Sequence, residues 1–191
     1  MSATDRLFFA LVPPATAAGK IYAVQQDLRV RHGLWGRAIA IERLHITLCH
    51  VGDYAGLPGA VVARAREAAS RVSAPAFDVT FDRALSFTER PRKRPFVLRS
   101  SLGTGPIEAF QRVLGAEMKA RGLGKFVRPH TTCVTLLYDS AEVAEHAIEP
   151  VSWRATEFRL VHSLLGQTRY MTLGSWALNG AAALSPLERA G

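Results

Sequence analysis

Two short stretches of this 191-residue chain carry side chains suited to acid–base chemistry: Leu44-His45-Ile46-Thr47-Leu48 and Pro129-His130-Thr131-Thr132-Cys133. Breaking one P–O bond while making another requires a base to activate the incoming oxygen and an acid to protonate the departing one. Imidazole, with an ordinary pKa of about 6.5, fills either role near neutral pH. On a strand, a hydroxyl two residues further on projects from the same face, about 7 Å away, and can donate to a phosphate oxygen. His45 with Thr47 and His130 with Thr132 are therefore candidate catalytic and phosphate-binding pairs. One His-x-Thr is common by chance, whereas two in matching contexts are informative. Thr131 and Thr135 crowd the second motif and leave its register open; a period of two places Thr132 on the histidine face.

The elements that must position these residues follow from periodicity and breakers. Leu7 to Val12 reads as a strand stopped by Pro13-Pro14, and Ala15 to Arg31 as a helix with Ile21, Val24 and Leu28 at helical spacing. Strand-like runs follow at 38–41 and 44–48, closed by Gly52-Asp53. A second helix is predicted over 57–72, a strand over 77–85, a basic loop over 90–95 and a strand over 96–100. A third helix over 107–120 ends at Gly122, and a strand is predicted over 127–138. Strands at 157–165 and 170–178, joined through Gly166-Gln167-Thr168, complete the pattern, with a loose tail from Asn179. Strand, helix, strand thus occurs twice, and each second strand carries His-x-Thr. Packed as a pseudo-symmetric pair, the two halves present both imidazoles to one central cleft.

Composition narrows the partners. Twenty-four Lys and Arg against 16 Asp and Glu give a formal charge of +8, which favours anionic ligands such as nucleotides or RNA. A hydrophobic content of 48% fills the core of a single unit spanning residues 1–191. Cys49 and Cys133 make no disulfide framework and read as reduced, packed thiols, which fits a cytoplasmic protein. Neither a leader pattern at residues 1–6 nor an apolar run of about 20 residues is found, so a soluble protein with no membrane partner is expected. His45, Cys49, His50, His130 and Cys133 are all potential zinc ligands, but zinc is a poor fit: on strands, His45 and Cys49 stand about 13 Å apart, and His130 and Cys133 face opposite ways about 10 Å apart. His32, His146 and His162 read as surface or packing residues.

Arg6-Leu-Phe-Phe-Ala-Leu11, Glu42-Arg-Leu-His-Ile-Thr-Leu48 and Arg128-Pro-His-Thr-Thr132 leading to Leu136-Leu-Tyr138 resemble the two-histidine phosphoesterase superfamily. Within it, the chain is similar over nearly its whole length to the RNA 2′,3′-cyclic phosphodiesterases, also called 2′-5′ RNA ligases. The resemblance implies an α+β fold of two lobes, each an antiparallel sheet with helices on its outer face, around a central groove. It implies no metal requirement; no other cofactor and a monomer are expected. It also implies His45 as the acid for the departing 3′ oxygen and His130 as the base for water, roles that the near-equivalence of the halves leaves exchangeable. Thr47 and Thr132 would hold the phosphate, the product would be a 2′-phosphate, and the reverse reaction would form a 2′-5′ linkage. Cys133 stands where the family usually carries an aliphatic residue. Candidate RNA contacts are Arg128 and Tyr138 beside the second motif, Phe87 as a stacking surface, and Arg92 and Arg94 in the basic loop. The alternatives are a sister phosphoesterase acting on a small cyclic nucleotide, ADP-ribose cyclic phosphate or a 2′-5′ oligonucleotide, and an RNA-binding module without catalysis.

Overall fold

The structure, a computed structural model, describes residues 2–89, 92–124 and 130–180. Along the chain these form β1 (Asp5–Leu11), α1 (Ala15–Arg31), β2 (Ile46–Tyr54), α2 (Gly59–Ser70), β3 (Phe77–Ser86) and β4 (Arg94–Arg99). They continue with α3 (Gly105–Ala120), β5 (Val134–Asp139), β6 (His146–Ala155), β7 (Glu157–Leu164) and β8 (Arg169–Ala177). Among the described residues the strands make one antiparallel sheet of eight, ordered β6-β3-β4-β5-β2-β1-β7-β8. At its centre β5 and β2 are joined by a single pair, Ile46 with Val134. The sheet is therefore two four-stranded halves hinged at one bridge, and the α+β, two-lobed architecture is as predicted.

Pro13-Pro14 ends β1 because proline brings no amide to the ladder, and Pro14 leads straight into α1. Arg29 and Arg31 in the last turn complement the helix dipole, and Gly33, with φ of +58°, takes the left-handed turn that ends it. Pro106 in the first turn of α3 likewise suits a position whose amide has no helical partner.

Helices α1 and α3 each cover the half to which their own flanking strands do not belong. Phe110 of α3 packs on Phe158 of β7 with ring centroids 5.0 Å apart, and Phe158 meets Phe9 of β1 at 6.0 Å. Gln25 of α1 is fully buried and donates through Nε2 to the carbonyls of Leu136 in β5 (2.6 Å) and Ile39 (3.0 Å). A buried amide is tolerated only when its donors are used; here it ties α1 and the segment after it to the second half. One continuous apolar cluster results, running from Leu7 and Phe9 to Phe81, Phe96 and Leu136.

Three departures from expectation have local causes. Residues 38–41 form no strand: Ala38 makes an isolated bridge to Leu137, Ile41–Arg43 is a 3-10 turn, and β2 begins only after His45. The strand expected over 127–138 starts at Val134, with residues 125–129 outside the described set. β6 was not legible because Pro150 interrupts its pattern; it is an edge strand, where a missing amide costs no ladder bond. The expected loose tail lies outside the described residues from 181 onward, while Asn179 bridges Pro75 and the Gly180 amide donates to Ala74.

Candidate active site

Ile46 and Val134 are both fully buried, so their neighbours along each strand turn to the opposite face. That face is the floor of a groove of about 950 Å³ between the two halves, and it carries His45, just before β2, and Thr47 of β2 beside Cys133, just before β5, and Thr135 of β5. Register defines the pseudo-symmetry. Leu11 and Ala10 of β1 pair with Ile46 and Thr47, just as Leu98 and Val97 of β4 pair with Val134 and Thr135. The counterpart of His45 is thus Cys133, and that of Thr47 is Thr135.

His130 also lines the groove, but from the extended segment preceding β5, with its side chain exposed. The placement of Thr132 departs from the sequence expectation. It is 5% exposed, it does not line the groove, and its hydroxyl has no hydrogen-bond partner among the described residues. Thr131, Cys133 and Thr135 face the groove instead, because alternation is set by the Ile46–Val134 pair and not by counting from His130. Replacing Thr132 by Val removes an unsatisfied buried donor at constant volume. It should raise stability by about 1 kcal/mol in urea unfolding and leave turnover intact, whereas Thr135→Val should weaken phosphate binding. Lost activity in the Thr132 variant would contradict this register.

The His45 ring is held from below. Its Nδ1 lies 2.7 Å from the carbonyl oxygen of Arg43, which can only accept, so Nδ1 carries hydrogen and the neutral ring keeps its lone pair on Nε2. Phe8 and Tyr170 flank the ring at centroid distances of 4.9 and 5.6 Å, and the Arg43 guanidinium caps Tyr170 at 4.5 Å. Burial is the largest influence on the imidazole and lowers its pKa; the Arg43 carbonyl opposes this, while the charges of Arg43 and His130 add to it. The pKa of His130 is lowered as well, first by desolvation in the groove and then by the charge of His50. Burial pushes the Cys133 thiol up to about 11, so it stays protonated and is no base near neutral pH.

His50, weighed from the sequence only as a potential zinc ligand, is a groove residue. Irregularities in the β1–β2 ladder on either side of Phe8 and Phe9 put Thr47 opposite Ala10 and His50 opposite Phe8. The extra residue turns His50 to the same face as Thr47. Its Nε2 stands 3.0 Å from Asp53 Oδ1, and Arg6 donates to both oxygens of that carboxylate at 2.7 Å. Arg6 above all, with His50 adding and burial opposing, holds Asp53 down to about 2. The signal available in the sequence was the spacing of His50 and Asp53 after the first motif, but the bulge that brings them into the groove leaves no mark in composition.

Of the remaining candidates, Tyr138 lines the groove. Phe87 is half-buried at the mouth of the β3–β4 hairpin, Arg92 is exposed on its loop, and Arg94 is engaged with Glu142 (3.3 Å) and the Ser140 carbonyl (2.6 Å); none of the three lines the groove. Arg128 lies outside the described residues. Among the described residues no group of three or more His, Cys, Asp or Glu side chains is arranged to hold a metal ion. Nor is any described helix long and apolar enough to cross a membrane.

Two antiparallel half-sheets flanking a groove of imidazoles and hydroxyls define a phosphoesterase of the two-histidine class. The pattern of the 2′-5′ RNA ligase superfamily matches residues 13–167, and the chain belongs to that family. It is similar to E. coli LigT in its apo form, with 28% identity, a TM-score of 0.71, and 93% of this chain and 99% of that one covered. The E. coli LigT complex with 3′-AMP matches at 27% identity and a TM-score of 0.67, over 93% and 99% of the two chains. The protein TT0787 of Thermus thermophilus, at 19% identity and a TM-score of 0.73 over 92% and 98%, shares the fold. No curated protein matches the sequence at a significant level.

Proposed function

We propose that this phosphoesterase opens a 2′,3′-cyclic phosphate at the end of RNA to leave a 2′-phosphate, using His45 and His130 as its acid–base pair without a metal. The observation that carries the reading is the pinned His45 ring in a groove shared with His130 and the hydroxyls of Thr47, Thr131 and Thr135. His130, the more exposed ring, takes a proton from water as that oxygen attacks phosphorus. The P–O3′ bond breaks, and protonated His45 gives its Nε2 proton to O3′. The Arg43 carbonyl supports the protonated ring of His45, which suits it to the acid role. Thr47 and Thr135 donate to the non-bridging oxygens, in place of the pair Thr47 and Thr132. With a 5′-hydroxyl in place of water as the attacking oxygen, and the same proton taken by His130 and given by His45 to O3′, the same steps would join ends through a 2′-5′ linkage. E. coli LigT has been crystallised with 3′-AMP and with NADP+, so a small nucleotide is the competing substrate class.

The test is an oligoribonucleotide ending in 2′,3′-cyclic phosphate, incubated in EDTA, with 2′- and 3′-phosphate products resolved. Histidine-dependent 2′-phosphate formation is expected; no turnover in chelator removes the proposal. The pH profile carries a second signature. Both imidazoles are depressed below the ordinary histidine value, and the reaction needs one protonated and one neutral. Activity should therefore describe a bell whose apex lies below about pH 6.5 and fall as pH rises and the acid loses its proton. A profile in kcat/KM that is flat or rising through pH 8 would contradict the pair.

A further inference from the structure

The loop between α1 and β2 carries an aromatic side chain that the acid–base chemistry leaves unused. Trp35 is 90% exposed, yet its backbone is clamped: its amide and that of Gly36 both donate to Asp139 Oδ2, at 2.8 and 2.6 Å. Gly36 lies against β5 so closely that a Cβ there would stand 2.1 Å from the carbonyl oxygen of Tyr138. Three residues on, the Ile39 amide donates to the Leu136 carbonyl at 2.7 Å, and both Ile39 and Tyr138 line the groove. The indole is therefore carried, exposed, on backbone fixed to β5 beside Tyr138, a residue of the groove lining. A solitary exposed apolar side chain on a loose loop needs no explanation; one held in place beside an active site does.

Its surroundings have the composition of a single-strand nucleic-acid platform. Tyr138 is 41% exposed, and the Lys93 ammonium stands 5.5 Å from its ring centroid. Arg37 follows Trp35 by two residues and is exposed. Aromatic faces take up bases whatever their identity, and adjacent cations meet the phosphates between them. The chain's formal charge of +8 complements such a strand.

We infer that Trp35 is a base-stacking subsite for the nucleotide preceding the phosphorylated end, which makes the groove selective for oligoribonucleotides over mononucleotides. This rests on the cyclic-phosphate reading above and names its substrate class. The wild-type protein should show a higher kcat/KM for a cyclic-phosphate-ended dinucleotide than for the cyclic mononucleotide. Trp35→Ala should reduce that ratio by about 5- to 100-fold, the range that one stacked base supplies, chiefly through KM for the dinucleotide, and Trp35→Phe should restore part of it. An unchanged ratio in Trp35→Ala overturns the inference while leaving the phosphodiesterase reading in place. A second arm does not depend on turnover: a 3′-phosphorylated tetraribonucleotide, titrated against each protein by anisotropy of a label on its 5′ end, should bind less tightly to Trp35→Ala by a similar factor. Equal affinities overturn the subsite even if no cyclic phosphate is cleaved. A change of sedimentation coefficient in Trp35→Ala, without a change in affinity, would assign the indole to a contact between copies of the chain and likewise overturn it.

Discussion

His45→Ala should lower kcat by about 10²- to 10⁴-fold, the range that one positioned acid or base contributes, while the fold survives. The ring is half-buried and rests on Phe8, Tyr170 and the Arg43 carbonyl, so its loss leaves a small gap at the groove floor and not in the core. Circular dichroism and the urea midpoint should move little. His130→Ala should fall in the same range, and comparing it with His50→Ala is decisive for the second half of the site. Cys133 occupies the place symmetric to His45 and its thiol is pushed up to about 11, so Cys133→Ala should be nearly silent. The second imidazole must then come from elsewhere on the groove wall. If His130→Ala retains activity and His50→Ala loses it, the ring oriented by Asp53 is the partner of His45. Full activity in His45→Ala would end the two-histidine account altogether.

Gly36→Ala is expected to produce the largest stability loss of any single methyl addition near the site, about 1–3 kcal/mol, by the usual cost of overpacking. The added carbon would sit 2.1 Å from a backbone carbonyl oxygen, which cannot swing aside as a flexible side chain can. The loop must retreat from β5, loosening the two amide bonds to Asp139 and moving Tyr138 at the groove wall. A lower urea midpoint together with a raised KM for oligonucleotide should follow. A variant as stable as the parent would show that the loop does not lie against β5 as described.

Much of the fold was legible because it rests on local signals. The α1 limits of Ala15 and Arg31 follow from the proline pair before it and the glycine after it, and Phe77, Val79 and Phe81 declare β3 by simple alternation. β6 escaped because Pro150 interrupts its alternation, with Ile148 half-buried before it and Val151, Trp153 and Ala155 buried after it, and a proline reads as a breaker unless the strand is known to lie at an edge. Phe87, Arg92 and Arg94 are candidates by residue type alone, and type does not say which side of a hairpin faces the groove.

By itself, the sequence determined the repeated strand-helix-strand order, the first motif with His45 and Thr47, and the basic character of the surface. Each depends on residues within a few positions of one another or on composition alone. Only the tertiary structure decided the second half of the site. The single Ile46–Val134 bridge sets the parity of the strand that follows it; it buries Thr132, turns Thr131, Cys133 and Thr135 into the groove, and leaves His130 at its wall. A ladder shift opposite Phe8 brings His50 in beside them, and a carboxylate at the end of β5 fixes the backbone of Trp35 beside Tyr138. Side-chain direction on a strand is set by pairing with a distant partner, and a one-residue change in that pairing moves every side chain to the other face.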